Sequence, residues 1–458
     1  MICCRLLPCL VARSFVPRGR SLEPIEITAL DGLALLPDGL KQVRIRIESG
    51  KIASVVETDI VDSTGQIIFP GFIDLHVHAR EYFQANKDDP TSQAVWNAMT
   101  AKETFATAGA AAINGGVTLF VAMPNDPEPP DCESSYARKQ ELSLTSGCPV
   151  EVAAAVTSGS EPWDDLLYKV YLDPKPSPVS FQRWQDLRTV VARYARCRLM
   201  FHAEDPEFIA SQTESGPRWK TRPPDAEFRA VDRILDLTAK FGLRAHICHI
   251  STRKAVELIE NYNRYSSLKV TSEATPHHLF FSVSPKGVVG AMGEPEAQEL
   301  FECNPPLRSE DDRLFLLESL RSGSVDCLAS DHAPHTIEDK HNGAPGVPHL
   351  DTYGPFVGWL MHHCGFTPQR VAEITSTAPA RILPPHWQER LGAIQEGYSG
   401  TFTILDMNHP SRVEGAQIVG RGELRSRCKW SPFSGFTFPA MVRRTIVAGK
   451  CYQFGDEA

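Results

Sequence analysis

The sequence predicts an α/β protein, a (β/α)8 TIM-type barrel with a small β-sandwich subdomain formed by the N- and C-terminal segments. From residue 71 onward, short apolar runs alternate with helical stretches, as they do in parallel βα units. The chain holds roughly eight such runs, the number of strands that closes a barrel. Both ends of the chain instead carry β-rich runs separated by turn signals, which is typical of antiparallel hairpins.

The N-terminal segment is set apart by its composition. Residues 1–22 contain four arginines and no acidic residue, as frayed basic tails and organelle-targeting segments both do, so we expect a basic tail or a targeting segment. Residues 23–69, with QVRIRIESGKIASVV, and residues 391–455, with GTFTILDM, GAQIVGRGEL and RRTIVAGKCYQF, are predicted to form one composite β subdomain. Residues 70–390 remain for the barrel.

The barrel strands are predicted from the apolar runs. These are GFIDLHVHAR (71–80), GVTLFVAM (116–123), LYKVYL (167–172), CRLMFHAE (197–204), LRAHICHIS (243–251), LKVTSEATP (268–276) and SVDCLAS (324–330). Residues 91–114 are predicted as one helical stretch, closed by Gly115 and Gly116. Ser309 is placed to cap a later helix that Gly323 ends.

Composition limits the classes of function. With 458 residues, 42% hydrophobic and 22% charged, the chain resembles soluble globular proteins, and it has no run of 18 apolar residues that could span a bilayer. A net charge of -9 argues against a nucleic-acid partner and favours a small molecule. Twelve cysteines without a CxxC pair suit reduced thiols. We expect a cytoplasmic protein, with a mitochondrial location as the alternative.

The first predicted barrel strand carries a histidine pair. Because side chains alternate along a strand, His76, His78 and Arg80 point to the same face. Two neighbouring imidazoles suit two ligands of one divalent metal such as zinc. The structural alternatives are a hydrogen-bonded pair of core histidines and, for Arg80, a solvated residue at the rim.

Later strands each end in a group that can bind metal or move a proton: Lys169, His202, His249, Glu273 and Asp331. The C-terminal ends of barrel strands converge on one mouth, so these groups are predicted to be neighbours. Taken singly, Lys169 could be a surface lysine, the histidines could belong to the core and Asp331 could cap a helix.

Lysine is the unusual member of this set, because its ammonium form repels cations. If Lys169 is buried, its neutral amine can capture carbon dioxide, and the resulting carbamate could bridge two metals. Two metals about 3.5–4 Å apart lower the pKa of water from 15.7 toward about 7 and so supply a nucleophile. Asp331 could then pass the proton to a departing nitrogen.

Together these residues resemble the amidohydrolase superfamily, and more narrowly its dihydroorotases, over about residues 50–455. The motifs are HVHAR (76–80), AMPN (122–125), KVYL (169–172), HAE (202–204), CHIS (248–251), EATPHHL (273–279), NPPLR (304–308) and SDHAPH (330–335). The resemblance implies two zinc ions bridged by carboxylated Lys169, one on His76, His78 and Asp331 and the other on His202 and His249.

The resemblance also implies a substrate. Arg80, Asn125 and His335 match positions that bind a substrate carboxylate, and Arg308 matches a substrate-contacting arginine of the animal enzyme's domain. The implied reaction is the reversible cyclisation of N-carbamoyl-L-aspartate to L-dihydroorotate in pyrimidine biosynthesis. Allantoinases and hydantoinases share the metal ligands but lack this carboxylate-binding combination. They remain the alternative, together with a non-catalytic scaffold on the same fold.

Some positions stay open at this point. Cys248 and Glu273 match metal-proximal groups, but either could act behind the ligands or simply pack. Where related dihydroorotases read REPG, a short run and KED, this chain has REYFQANKDD (80–89), and the segments 281–304 and 338–352 also differ around the mouth. A homodimer is expected on general grounds, and association with other pyrimidine enzymes is possible.

Overall fold

A computed structural model describes residues 23–60, 63–84, 86–284, 287–290, 298–388 and 390–455. The tail predicted for residues 1–22 lies outside the described residues. Within them, parallel strands form the predicted barrel, and the third strand is interrupted at Ala153. In order, the eight barrel strands are Phe72–Val77, Val117–Ala122, Val150–Val152 with Ala154–Ala155, Leu167–Leu172, Arg198–His202, Arg244–Ile247, Thr271–Ala274 and Cys327–Leu328.

The barrel closes between its eighth and first strands. His78 N–H donates to the carbonyl of His332 at 2.8 Å, and His332 N–H donates to the carbonyl of His76 at 3.2 Å. The buried Asp74 carboxylate reinforces this seam, because its Oδ1 accepts from the backbone N–H of Ser330 at 2.9 Å. The last residues of the first strand are thereby held against the segment that carries Asp331.

Helices cover the barrel and line its mouth. The longer ones are Pro90–Thr100, Phe105–Asn114, Glu133–Ser143, Trp184–Val191, Pro224–Phe241, Arg253–Tyr265, Glu310–Ser322 and Tyr353–Cys364. Short helices span Pro206–Ala210, Arg218–Thr221, Pro276–Phe280, Ile337–His341, Pro368–Ala372, Ala378–Ile382 and Pro385–Gln388. Ser309 Oγ accepts from Asp312 N–H, and Gly323 ends that helix with φ of 107°, as the sequence predicted.

The prediction of one helical stretch over residues 91–114 was wrong. The first helix ends at Thr100, and a second begins where Thr104 Oγ1 accepts from Thr107 N–H as an N-cap. A capping threonine takes an extended backbone, which breaks the helix before it. Because of this break, Lys102 and Glu103 lie between the two helices and contact residues of the barrel mouth.

The terminal segments meet in one eight-stranded sheet beside the barrel. Its strands are Ile25–Glu26, Ala29–Leu36, Gly39–Glu48, Lys51–Glu57, Gln66–Pro70, Phe402–Asp406, Met441–Val447 and Lys450–Gln453. Residues from both ends of the chain, including Ile45 and Ile446, share one buried apolar cluster. The boundaries 23–69, 391–455 and 70–390 remain predictions.

The run GAQIVGRGEL does not join the terminal sheet, contrary to the prediction. Its strands Gln417–Ile418 and Gly422–Glu423 belong to a separate four-stranded sheet with Ser411–Glu414 and Thr437–Phe438. The aromatic residues that follow explain this placement, because Phe433 packs against Phe280 and Phe356 of the barrel side. A further hairpin pairs Phe281–Ser284 with Gly287–Gly290, and Ser180–Phe181 extends the barrel sheet beside its fourth strand. In the part of the chain that is described, no helix combines the length and apolar character needed to cross a membrane.

Candidate active site

The barrel mouth brings the predicted metal ligands together. His76 and His78 lie at the end of the first strand, and both aim Nε2 at one carboxylate: Asp331 Oδ1 is 3.4 Å from His76 and 3.1 Å from His78. His202 Nδ1 lies 3.1 Å from His249 Nε2. The two groups adjoin, because the ring centroids of His76 and His249 are 5.1 Å apart. We call the buried set the metal cluster: His76, His78, Lys169, His202, His249 and Asp331.

Three imidazoles of the metal cluster face an oxygen with their other nitrogen. The oxygens are Glu273 Oε1 at 2.6 Å from His76 Nδ1, Asn125 Oδ1 at 2.7 Å from His78 Nδ1 and Glu204 Oε2 at 3.3 Å from His202 Nε2. The oxygens facing His76 and His78 can accept an N–H and so fix the tautomer in which the opposite nitrogen presents its lone pair to the cluster, whereas His202 Nε2 has no hydrogen-bond partner among the described residues. Burial, followed by the charge of Lys169, lowers the pKa of His76 to about 4, which keeps it in the neutral, ligating form.

Lys169 is fully buried at the centre of the fourth strand. Its Nζ lies 2.8 Å from Cys248 Sγ and 3.5 Å from His76 Nε2, and no carboxylate of a described residue comes within 4.0 Å. The amine therefore lies inside the metal cluster, beside His76, and not at the surface of the protein.

Cys248 and Glu273 lie directly behind the metal cluster. Ligand atoms of His76, Cys248 and Glu273 all lie within 4.8 Å of one another. Glu273 also accepts from His246 Nε2 at 2.9 Å, and burial raises the pKa of the Cys248 thiol. Both residues thus adjoin the predicted ligands, as the sequence suggested, and a metal-proximal role for them remains a prediction.

The backbone is strained at three predicted site residues. Arg80, His249 and Asp331 have φ of 61°, 36° and 45°, and they account for three of the seven non-glycine residues with positive φ in the described parts of the chain. Such conformations cost about 1–3 kcal/mol each and cluster at functional sites, where the surroundings hold them. Each of the three lies just beyond the end of a barrel strand.

A second group of side chains lies next to the metal cluster and consists of hydrogen-bond donors. Arg80 Nη2 is 3.3 Å from His335 Nε2, while the buried Arg80 Nε has no hydrogen-bond partner among the described residues. Asn125 uses its oxygen on His78, which leaves its amide hydrogens for another acceptor. Lys102 Nζ lies 3.4 Å from His335 Nδ1. We call Arg80, Lys102, Asn125 and His335 the anion clamp.

The segment REYFQANKDD, where the sequence departs from related dihydroorotases, ends at a helix cap, because the side chain of Asp89 caps the helix that begins at Pro90. Lys102 and Glu103 are the residues that reach the mouth, and Glu103 Oε2 accepts from His332 Nε2 at 3.1 Å. The capping threonine two residues after Lys102 was the signal that could have located them.

Arg308, which was predicted to contact the substrate, makes hydrogen bonds outside the anion clamp. Its Nε donates to Ser251 Oγ at 3.0 Å and its Nη1 to the carbonyl of Arg222 at 2.7 Å. Its buried Nη2 makes no hydrogen bond to a described residue, although Glu204 Oε1 lies 3.9 Å away. Arg308 therefore keeps one donor available without contacting the other predicted substrate residues.

Comparisons with known proteins identify a family, curated relatives and a solved structure of the same fold. The profile of the Amidohydrolase family matches residues 67–451. The dihydroorotase of Pyrococcus furiosus is 30% identical over 438 residues, covering 93% of each chain. The dihydroorotase of Anaplasma phagocytophilum is 32% identical over 422 residues, covering 87% of this chain and 85% of the relative. The solved L-hydantoinase (dihydropyrimidinase) of Arthrobacter aurescens superposes with a TM-score of 0.78 at 21% identity, covering 93% of this chain and 96% of that one, and so shares its fold.

Proposed function

Because the chain belongs to the amidohydrolase family, we propose that it is a dihydroorotase, a hydrolase that acts on a cyclic amide. It would interconvert N-carbamoyl-L-aspartate and L-dihydroorotate in pyrimidine biosynthesis. The curated relatives that share about 30% of its residues over most of its length carry that name. The single observation that carries the proposal is the anion clamp beside the metal cluster, since the substrate carries a free carboxylate on the opposite side of the ring from the amide bond that reacts.

The metal cluster suits two zinc ions, one on His76, His78 and Asp331 and the other on His202 and His249. Neutral imidazole nitrogens and a carboxylate are donors that zinc accepts, and the oxygens behind His76 and His78 orient these two rings as ligands. A carbamate on Lys169 would add a second anionic ligand to the metal cluster. When bound, zinc would acidify water and polarise the amide carbonyl.

The anion clamp would hold the substrate carboxylate. A guanidinium offers a carboxylate two directed, charge-assisted hydrogen bonds, and Arg80 has a nitrogen without a partner among the described residues. Asn125 and His335 would donate further bonds, and Arg308 Nη2 is a candidate for another substrate oxygen. A hydantoin ring without a carboxylate would leave these buried donors unpaired, which disfavours the hydantoinase alternative.

Asp331 is the proposed general base and acid. Burial raises the pKa of its carboxyl group, against the opposing effects of His76 and Lys169. It lies at the mouth, within 3.1 Å of His78 Nε2, at the edge of both groups of side chains. It would take the proton from the attacking water and deliver it to the departing ring nitrogen.

Turnover and metal content together test this function. Purified protein with zinc should close N-carbamoyl-L-aspartate at mildly acid pH and open L-dihydroorotate at alkaline pH, with two zinc ions per chain. Cleavage of a hydantoin or allantoin, with no turnover in either of these directions, would show another cyclic amidohydrolase. Native protein without bound zinc would favour the scaffold alternative. A cytoplasmic homodimer is part of the same proposal.

A further inference from the structure

His335 is flanked by two obligatory hydrogen-bond donors. Lys102 Nζ lies 3.4 Å from its Nδ1, and Arg80 Nη2 lies 3.3 Å from its Nε2. Neither an ammonium nor a guanidinium can accept a hydrogen bond. A neutral imidazole has only one lone pair, so it can accept from one of the two donors but not from both. Its remaining N–H must therefore face a cation.

An arriving anion resolves this conflict in only one of the two tautomers. If Arg80 donates to Nε2, the guanidinium is partly occupied and His335 turns a lone pair toward the incoming carboxylate. If Lys102 donates to Nδ1, the Nε2–H and the Arg80 N–H groups point into the same space, and both can bind one carboxylate. The second arrangement satisfies every donor at once.

We infer that Lys102 is a positioning residue, which donates to His335 Nδ1 and so keeps the hydrogen on Nε2 for the substrate carboxylate. This inference rests on the proposed function, because it needs an anionic substrate at Arg80. Lys102 acts through His335 and does not touch the reacting atoms. Within the anion clamp, Lys102 is thus the member that lies behind the residues that would contact the substrate.

The surroundings of His335 agree with this assignment. Burial, followed by the charges of Arg80, Lys102, Lys340 and His78, lowers the pKa of His335, so it stays neutral. Asp339 is the nearest carboxylate, but its Oδ2 lies 3.8 Å from Nδ1 and already accepts from Thr336. Asp339 Oδ1 instead lies 3.5 Å from Lys102 Nζ. Asp339 therefore holds Lys102 in place.

Replacing Lys102 by methionine should separate substrate binding from chemistry. Without the donor, His335 can place its hydrogen on Nδ1 and turn a lone pair toward the carboxylate. We expect KM for L-dihydroorotate at pH 8 to rise about 10- to 100-fold, the usual effect of one hydrogen bond to a charged group, with kcat changed less than about threefold. The KM defect should persist between pH 8 and pH 6, because burial and the charge of Arg80 still hold the pKa of His335 well below its usual value and keep the ring neutral. Lys102→Arg, which keeps a donor, should restore KM.

Two controls make the role of Lys102 specific. Lys87→Met removes an exposed lysine on the other side of the helix Pro90–Thr100 and should leave all parameters unchanged. In a His335→Asn background, where the amide donates without a tautomer choice, adding Lys102→Met should have no further effect on KM. A KM defect that persists in that background would overturn the inference.

The tautomer itself can be read without turnover. Nitrogen-15 NMR of histidine-labelled, zinc-loaded protein, with His335 assigned from the His335→Asn spectrum, should show hydrogen on Nε2 in the native chain and an altered state in Lys102→Met. Hydrogen on Nδ1 in the native chain would refute the inference even if dihydroorotate is turned over. The expected tautomer in a protein that cannot turn over dihydroorotate would instead refute the proposed function.

Discussion

The metal cluster and the anion clamp are neighbours with opposite electrostatic character. In the metal cluster, oxygens behind the rings of His76 and His78 orient the opposite nitrogens inward. In the anion clamp, Arg80, Lys102 and Asn125 are N–H donors, and Arg80 Nε has no acceptor among the described residues. Under the proposed function, cations would complete the first region and an anion the second. A substrate with a carboxylate at one end and an amide at the other would thereby be oriented, and binding would be separated from chemistry.

The largest effect should come from the centre of the metal cluster. Lys169→Ala removes the proposed bridge, so zinc and turnover should be lost together, with activity falling on the order of 10⁴-fold. Short carboxylic acids should restore part of both, because they can replace the carbamate. Zinc analysis and turnover rates check this. Lys139→Ala removes another buried lysine, one paired with Asp126, and its folded fraction should keep its zinc. A zinc-replete but inactive Lys169→Ala would contradict the bridging role.

The next largest effect should appear in the anion clamp, without loss of metal. Arg80→Gln removes the charge but keeps a polar side chain, so kcat/KM for L-dihydroorotate should fall about 100- to 1,000-fold, as expected for an unpaired buried carboxylate. The zinc content should stay at that of the native protein. Toward dihydrouracil, which lacks the carboxylate, Arg80→Gln should be as active as the native enzyme. An equal loss with both substrates would mean that Arg80 supports the metal cluster rather than the anion.

The two regions also differ in how far the sequence could predict them. The metal cluster follows from two local rules, since side chains alternate along a strand and all strand ends meet at the mouth. Arg80 was found because it continues the alternation of His76 and His78. Lys102 was not predicted because it lies 233 residues from His335 in the sequence, and their contact depends on where a helix breaks. The side chain of Glu204 likewise needed the fold to show its contact with His202.

The smallest effect should come from Glu273, which lies directly behind the metal cluster. Burial alone would raise the pKa of the Glu273 carboxyl, but His76 and His246 outweigh it and hold the pKa below its usual value. The ionised group accepts from His76 Nδ1 at 2.6 Å and makes that imidazole a better ligand. Glu273→Gln keeps an accepting oxygen and removes only the charge, so zinc affinity should fall about 10- to 100-fold, with turnover recovering at high zinc.

Zinc titrations of activity would measure this change against a matched control. Glu151 is equally buried but bonds to His386 and Trp387, so Glu151→Gln should leave zinc affinity unchanged. If Glu273→Gln stays inactive at saturating zinc, Glu273 must do more than orient His76. Ligation of a further ion together with Cys248, whose sulfur lies within 4.8 Å of the ligand atoms of Glu273 and His76, would then be the explanation to test by counting metals in Cys248→Ser. A full recovery would place the whole contribution of Glu273 in the basicity and orientation of one imidazole.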